Sequence, residues 1–266
     1  GNFFKSKNVE VKVPFKLGSQ QVTALEQLVD FITSTKDTIT LEGFAGTGKT
    51  TIIGILDNYF KNRTFFYMSP THRANANLAK ALVDQGKNRM PTTLTSSIRE
   101  KTLKSGKKIG VFTAKLQDVK YARQPVIILD EASMLDKKDL KLMKDTSKEY
   151  GVKYIYMGDP AQLPKVNTDS IQEISPVFEN SIKLTDVHRQ SNPELIDHLS
   201  SIRNSKVTIH RLPQAENNSI KYISNAKFQE ELVRDFRLDL EGTVLISATN
   251  KGVEDSNQAI RRNLGK

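Results

Sequence analysis

The chain has 266 residues, 37% of them hydrophobic, which is enough to bury the core of one large domain or two modest ones. It contains no cysteine, so disulfides, cysteine-ligated zinc and iron–sulfur clusters are excluded for these residues. No run of about eighteen apolar residues and no signal-type leader occurs, and we expect a protein without membrane contact. Forty lysines and arginines against thirty aspartates and glutamates give a net charge of +10, which suits a polyanionic partner without identifying one.

A glycine-rich stretch at residues 43–50 reads GFAGTGKT and fits the phosphate-binding pattern G-x-x-x-x-G-K-[ST]. Apolar runs predict a strand before it, at 39–41, and a helix after it, at 51–56. In this arrangement we expect the backbone N–H groups of the loop and the N-terminus of the helix to face a triphosphate. Lys49 adds a positive charge for the phosphates, and the Thr50 hydroxyl holds Mg²⁺. The alternative is a turn that merely matches the pattern. The candidate nucleotide contacts are Gly43, Ala45, Gly46, Thr47, Gly48, Lys49, Thr50 and Thr51.

A helix is predicted at about 19–29 behind a serine cap, with Gln21 in its first turn. A primary amide can pair with both the donor and the acceptor of adenine, and the alternative for Gln21 is a solvated helix residue. Polar residues also follow the buried strand predicted at 64–68, at the edge where open α/β sheets bind ligands. There we expect His72 to contact a backbone phosphate or to cap a helix, and not to bind a metal.

A hydroxyl-rich turn at 92–97 contains Thr93 and Ser96, which either contact phosphate oxygens or only begin a helix. Residues 99–123 then interrupt the alternation of strands and helices. Scattered lysines and a β-prone run at 109–113 predict an inserted basic hairpin. We expect Phe112 near its tip, where it stacks on a base or wedges a duplex junction, with packing of the insert against the core as the alternative.

A continuous apolar strand at 125–129 ends in Asp130 and Glu131, and its lack of alternation is typical of a strand covered on both faces. Beside the phosphate loop, Asp130 can hold the water shell of Mg²⁺ and Glu131 can polarise an attacking water. Strands predicted at 154–157 and 181–185 precede Gln162 and Arg189. At the same edge, Gln162 can sense the γ phosphate, and Arg189 is either an arginine finger or a surface charge.

Five segments together resemble helicase motifs I, Ia, II, III and IV of superfamily 1. In chain order they are residues 43–51, 69–74, 130–133, 158–166 and 184–190. Shorter matches at 174–178, 202–204 and 249–251 extend the similarity, which runs from about Leu17 onward. The chain resembles the RecD/Dda-like branch, superfamily 1B. It departs from the family pattern at 93–95, where a histidine is usual, and at Lys165, where a proline is usual.

The resemblance implies an α/β fold of paired RecA-like domains with a parallel sheet and ATP in the cleft between them. It implies ATP-driven translocation along single-stranded DNA from 5′ to 3′, with unwinding. It assigns roles to Gln21 (adenine), Lys49 (phosphates), Thr50 and Asp130 (Mg²⁺), Glu131 (catalytic water), Gln162 (γ phosphate) and Arg189 (transition-state charge). The DNA candidates are Pro70, Thr71, His72, Arg73, Thr93, Ser96 and Phe112. The insert at 99–123 corresponds to the pin that splits the duplex.

The predicted organisation has an N-terminal extension at 1–16 and a first RecA-like motor domain at 17–98 and 124–205, with the pin hairpin inserted at 99–123. Residues 206–266 are expected to begin an incomplete second RecA-like domain, with helices at about 226–237 and 251–263 around a strand at 243–247. We find no counterpart of motifs V and VI. We therefore expect the amino-terminal part of a helicase, able to bind nucleotide but poor at turnover alone.

The expected cofactors are ATP and Mg²⁺, and the expected partners are single-stranded DNA and duplex junctions. A single-strand-binding protein and replication or recombination proteins are further candidates, in the cytoplasm of a bacterium or of a phage-infected host. Two other classes stay open: a P-loop ATPase or nucleotide kinase without a nucleic-acid track, and a binding module that uses ATP only as a structural ligand.

Overall fold

The structure is a computed structural model that describes residues 2–6, 9–13, 17–44, 46–161 and 175–185, and isolated helical positions between 227 and 262. The chain divides into two compact units, Gly1–Ser191 and Asn192–Lys266. In the first unit the strands are β1 Asn2–Ser6, β2 Val9–Val13, β3 Thr38–Gly43, β4 Phe65–Ser69, β5 Thr92–Thr93, β6 Ile98–Thr102, β7 Lys108–Phe112, β8 Val126–Leu129, β9 Lys153–Gly158 and β10 Ile182–Leu184. The α-helices are α1 Ser19–Thr33, α2 Lys49–Tyr59, α3 His72–Asp84, α4 Leu94–Ser97 and α5 Lys137–Tyr150.

The centre of this unit is a six-stranded sheet in the order β10-β3-β9-β8-β4-β5, and all of its neighbouring strands are parallel. Alternate side chains of its strands enter two separate apolar clusters. One cluster contains residues of α1, α2 and α3, and the other contains Met143 of α5 together with residues of the hairpin region. Both faces are therefore covered, which is why strand β8 is apolar at every position. The predicted α/β class with a parallel sheet is confirmed.

The strands β1, β2 and β5 and the helix α5 are not predicted from the sequence. The N-terminal stretch forms an antiparallel hairpin of β1 and β2. Asp136 is the N-cap of helix α5, because its side chain accepts a hydrogen bond from the Asp139 backbone N–H at 2.8 Å. A smaller correction concerns α1, whose N-cap is Gly18 and not Ser19.

The inserted hairpin consists of β6 and β7, paired antiparallel from Ile98 and Phe112 at its base to Thr102 and Lys108 near its tip. The middle of β7 packs tightly on α5, because a Cβ at Gly110 would lie 2.2 Å from the Leu142 carbonyl oxygen. The Gly110 N–H also donates to Asp145 at 3.0 Å. The hairpin therefore lies directly along α5 at this point.

The expectation that Phe112 lies near the tip of the hairpin is wrong. It is the last residue of β7, it is only 3% exposed, and its ring packs on Tyr150 with centroids 5.1 Å apart. The alternative, that Phe112 attaches the insert to the core, is what the structure shows. The exposed aromatic residue of this region is Tyr121, 87% exposed at the end of a 3₁₀ segment, Ala114–Tyr121.

Helix α1 is attached to strands at both ends. At its start, the Gln20 side chain exchanges two hydrogen bonds with Thr185, just after β10, at 2.7 and 2.8 Å. At its end, Arg63 donates to the Ile32 carbonyl at 2.6 Å, and Lys153 donates to the Ser34 carbonyl at 2.8 Å. Cations here satisfy carbonyls that have no partner within a helix, and they oppose the negative end of its dipole.

In the second unit, the described positions from 227 to 234 and from 255 to 262 are helical, within the two helices predicted there. The strand predicted at 243–247 lies outside the described residues, as does most of this unit. Across the part of the chain that the structure describes, no helix is both long and apolar enough to cross a membrane.

The burial of Phe112 leads to a stability prediction. Phe112→Ala leaves a cavity between the hairpin and α5 and should lower the free energy of unfolding by about 3–5 kcal/mol. Tyr121→Ala, the matched control in the same insert, should change it by less than about 0.5 kcal/mol, because the ring is exposed. Urea unfolding followed by circular dichroism measures both values, and equal losses would contradict the inward placement of Phe112.

Candidate functional site

The phosphate loop joins β3 to α2 at the carboxyl edge of the sheet. Gly46 and Gly48 have φ values of 85° and 89°, in the left-handed region that favours glycine. Thr47 is fully buried, and its hydroxyl donates to the Phe44 carbonyl at 2.8 Å. Thr50 and Thr51 lie in the first turn of α2. The loop thus directs the amino end of a helix toward the sheet edge, which is the geometry that binds phosphate.

Lys49 is positioned by carbonyl groups of the loop itself. Its ammonium donates to the Gly43 carbonyl at 2.5 Å and to the Phe44 carbonyl at 2.8 Å. Both are neutral acceptors, and a phosphate oxygen forms a stronger, charge-assisted hydrogen bond with an ammonium. A bound phosphate would therefore compete with these carbonyls for the ammonium of Lys49.

Gln21 lies against this loop and not in solvent, so the alternative of a solvated helix residue is wrong. It is 8% exposed, and its Oε1 accepts a hydrogen bond from the Gly18 N–H at 3.0 Å. Its Nε2 lies 2.4 Å from the point that a Cβ on residue 48 would occupy. A side chain at position 48 would thus collide with Gln21, a second reason for glycine there. The pairing of Gln21 with adenine stays a prediction.

Asp130 and Glu131 follow β8 at the same edge. The Asp130 carboxylate accepts a hydrogen bond from the Glu131 N–H at 2.9 Å. Burial raises the pKa of Asp130, while that hydrogen bond and the nearby charge of Lys49 oppose the rise. Asp130 is therefore within electrostatic reach of the lysine of the phosphate loop.

Glu131 has a left-handed backbone with φ of 53°, which is unusual for a residue with a long side chain. Burial raises the pKa of its carboxyl, the neighbouring charge of Asp130 raises it further, and Arg73 lowers it. This proximity of Arg73 to Glu131 was not predicted. It arises because β4 and β8 are adjacent in the sheet, and no signal in the sequence reveals which strands are neighbours.

The candidate DNA contacts after β4 surround the start of α3. Thr71 is the N-cap, because its hydroxyl accepts a hydrogen bond from the Ala74 N–H at 3.2 Å. His72 therefore does not cap the helix. His72 and Arg73 are exposed, and Pro70 is half-buried. The exposed pair is available to a phosphate backbone, as the sequence predicts for this edge.

The hydroxyls of the 92–97 turn are used internally. Thr93 is 3% exposed, and its hydroxyl donates to the Ser96 hydroxyl at 2.9 Å. Ser96 in turn donates to the Thr93 carbonyl at 3.0 Å. The turn begins α4, so the alternative of a helix start describes it, and the structure does not present Thr93 to a ligand.

Three predicted site residues, Ala45, Gln162 and Arg189, lie outside the described residues. The strands that precede the last two are present as β9 and β10. The part of the chain that the structure describes contains no cluster of three or more histidine, aspartate or glutamate side chains that could hold a metal. The oxygen donors at the edge, the Thr50 hydroxyl and the Asp130 carboxylate, fit Mg²⁺ that also binds phosphate oxygens.

A protein-family model described as an AAA domain matches residues 16–224. The chain belongs to this AAA-domain family. Among curated proteins, the chain is 27% identical over 207 residues to the uncharacterized protein R530 of Acanthamoeba polyphaga mimivirus, covering 70% of this chain and 41% of the relative. It is 26% identical over 258 residues to the ATP-dependent DNA helicase Dda of enterobacteria phage T4, covering 92% of this chain and 56% of the relative. The chain thus spans only about half the length of these two relatives.

Among solved structures, the crystal structure of the Pif1 helicase from Bacteroides in complex with ADP-AlF₃ and single-stranded DNA is similar in fold. The TM-score is 0.51 at 20% sequence identity, over 87% of this chain and 58% of that chain. The similarity to Dda agrees with the resemblance of the motifs to the Dda-like branch of superfamily 1B. The similarity to the Pif1 structure agrees with the α/β fold.

The raised pKa of Asp130 gives a pH prediction. The pKa of Asp130 is higher in the folded state than in the unfolded chain, so its charged carboxylate destabilises the fold at neutral pH. As the pH falls, the carboxyl is protonated first in the folded state. The destabilisation has disappeared once the pH lies below the pKa of the unfolded chain. Asp130→Asn should therefore raise the Tm at pH 7 without nucleotide. The gain should disappear below about pH 4, where the carboxyl of the unfolded chain is neutral too. Asp118→Asn, at an exposed position, is the control, and a gain independent of pH would refute the explanation.

Proposed function

We propose that the protein is an ATP-driven DNA helicase that translocates from 5′ to 3′ along single-stranded DNA. The observation that carries this proposal is the meeting of a phosphate loop with an adjacent pair of carboxylates at one sheet edge. Lys49 acts on the pKa of Asp130, and Arg73, from the candidate DNA segment, acts on the pKa of Glu131. ATP chemistry and a nucleic-acid contact would then share this edge.

In the proposed reaction, Glu131 accepts the proton of the water that attacks the γ phosphate. A carboxylate is a stronger base when its pKa is raised, and burial beside Asp130 has this effect here. Lys49 moves from the loop carbonyls to the β and γ phosphates and stabilises their charge. Thr50 and Asp130 would hold Mg²⁺, which supplies further charge neutralisation when it is bound. Gln21 contributes to the adenine side of the site.

Two further assignments rest on the motif resemblance. Gln162 senses the γ phosphate, and Arg189 stabilises transition-state charge. Because losing an arginine finger typically costs about 10³–10⁵ in rate, removal of Arg189 should be severe if this role is correct.

On the DNA side, we propose that Pro70, Thr71, His72 and Arg73 contact the translocated strand and that the hairpin tip at 103–107 meets the duplex junction. The exposed charges at the start of α3 and the lysines of the hairpin support this, and the similar Pif1 structure was solved with single-stranded DNA. The chain spans 56% of the length of Dda. We therefore propose that these residues bind nucleotide and single-stranded DNA, and that unwinding requires a protein that provides both RecA-like domains.

The deciding experiment measures ATP hydrolysis with and without single-stranded DNA, in a protein that provides both RecA-like domains. Glu131→Gln should keep ATP binding but lower turnover by about 10²–10⁴-fold, because the amide cannot accept the proton. Lys49→Ala, the control for phosphate contact, should also weaken ATP binding. An unchanged rate in Glu131→Gln would remove this residue from the mechanism, and turnover that DNA never stimulates would favour a P-loop ATPase without a nucleic-acid track.

A salt titration tests the strand contact separately. Arg73→Ala should weaken binding to single-stranded DNA and reduce the slope of log K against log salt by about 0.7, the value expected when one fewer phosphate of a single strand is neutralised. Lys144→Ala removes an equally exposed charge from α5 and should leave the slope unchanged. Equal effects of the two substitutions would indicate general charge attraction and no track at α3.

A further inference from the structure

The residues at the C-terminal end of helix α3 contact helix α2, which follows the phosphate loop. The side-chain Nε2 of Gln85, the C-cap of α3, donates to the carbonyl of Thr50 at 3.2 Å. The ammonium of Lys87 contacts Asp57 at 3.0 Å and Asn58 at 2.7 Å. One contact thus lies in the first turn of α2 and the other in its last turns. We refer to Gln85 and Lys87 together as the α3 clamp.

The C-terminal cap of α3 fixes the orientation of the α3 clamp relative to the helix. The Gly86 N–H donates to the Val83 carbonyl and the Lys87 N–H donates to the Leu82 carbonyl, both at 2.9 Å. With Gly86 at a φ of 71°, these bonds form a Schellman motif, which defines the direction of the chain as it leaves a helix. Gln85 and Lys87 therefore move with α3 as one body.

Gln85 is fitted closely into α2. Its Oε1 is buried and has no hydrogen-bond partner among the described residues. This oxygen lies 2.0 Å from the point that a Cβ on Gly54 would occupy, so the amide fits only because residue 54 has no side chain. The opposite amide orientation would place Oε1 against the Thr50 carbonyl, two acceptors facing each other. A buried polar atom without a hydrogen-bond partner costs free energy, and the Oε1 atom of Gln85 is left without one in this arrangement.

The two ends of α3 thus face different ligands of the proposed motor. Its C-terminal clamp binds the carbonyl of Thr50, the residue proposed to hold Mg²⁺. Its N-terminus carries the exposed His72 and Arg73, proposed to contact the DNA strand. A shift of the first turn of α2 on nucleotide binding would therefore be transmitted through Gln85 to the end of α3.

We propose that Gln85 is a positioning residue that couples nucleotide binding on α2 to strand binding at the start of α3. The inference rests on the proposed function for its two ligands, but the Gln85 and Gly54 contact on which it depends can be tested without either. Gln85 touches neither ligand in this scheme and acts through the backbone of α2.

The contact is tested first by thermal unfolding. Gly54→Ala should lower the Tm of the wild-type chain, because the methyl group displaces the Gln85 amide. In a Gln85→Ala background the same substitution should raise the Tm by about 2–4 °C, because alanine is then accommodated and favours the helix. Such a reversal of sign is the expected result of this double-mutant cycle. A Tm that rises equally in both backgrounds would overturn the inference.

Coupling is then measured as the ratio of the Kd for a short oligothymidylate without and with a non-hydrolysable ATP analogue and Mg²⁺. In the wild type this ratio should differ from one by about 5–150-fold, the usual range for linked sites. Gln85→Ala and Gly54→Ala should both bring it close to one, while the Kd of the analogue alone changes little. Gln117→Ala, at an exposed glutamine, should leave the ratio unchanged. Gln85→Glu, which replaces the donor by an acceptor, provides a second variant if Gln85→Ala unfolds.

The outcomes separate the two proposals. If the wild type binds the analogue and the oligonucleotide and the ratio is the same in Gln85→Ala, the coupling role is wrong and the proposed function stands. A ratio of one in the wild type also overturns the coupling role. If the wild type binds no ATP analogue, the proposed function fails and the coupling role fails with it, whatever the Tm cycle shows.

Discussion

A parallel sheet with helices on both faces has few solvent-facing positions along its central strands, so polar side chains collect where the strands end. Strand β8 illustrates this, since its four residues are fully buried and the next residue is Asp130. The strands β3 and β4 likewise lead directly into the phosphate loop and the start of α3. Because the strands are parallel, these ends meet at one edge, and the site follows from the way the core is covered.

The same constraint explains why the sequence predicts this edge well. Apolar runs without alternation are typical of strands buried on both faces, and the phosphate-loop pattern depends on local backbone geometry that glycines make possible. The strands predicted at 39–41, 64–68, 125–129, 154–157 and 181–185 are all present. Thr50, Asp130 and Glu131 lie after the strands β3 and β8 at one edge of the sheet, whereas Gln162 and Arg189 lie outside the described residues. Gln21 was placed in the correct turn, although its burial against Gly48 depends on how α1 packs.

Features that depend on packing between distant segments were beyond prediction. Helix α5 packs on the core through Leu140, Met143 and Tyr150, but its buried face also contains Thr146 and Ser147, so its apolar pattern is weak in the sequence. Without that helix, nothing in the sequence shows which aromatic residue of the insert is covered, and Phe112 was placed near the tip. The α3 clamp is hidden for a similar reason. An isolated glycine within a helix, such as Gly54, does not reveal which side chain occupies the space above it.

The attachments of α1 matter for mechanics. In the proposed motor, a pull on the DNA would act at the carboxyl edge of the sheet. Parallel β-strands that are joined by hydrogen bonds alone can shear past one another. Helix α1 joins the segment after β10 at the ligand edge to residues near the starts of β4 and β9 at the opposite edge, through Gln20, Arg63 and Lys153. It therefore acts as a diagonal brace across the sheet. A load applied at the carboxyl edge of the sheet is therefore shared with its opposite edge.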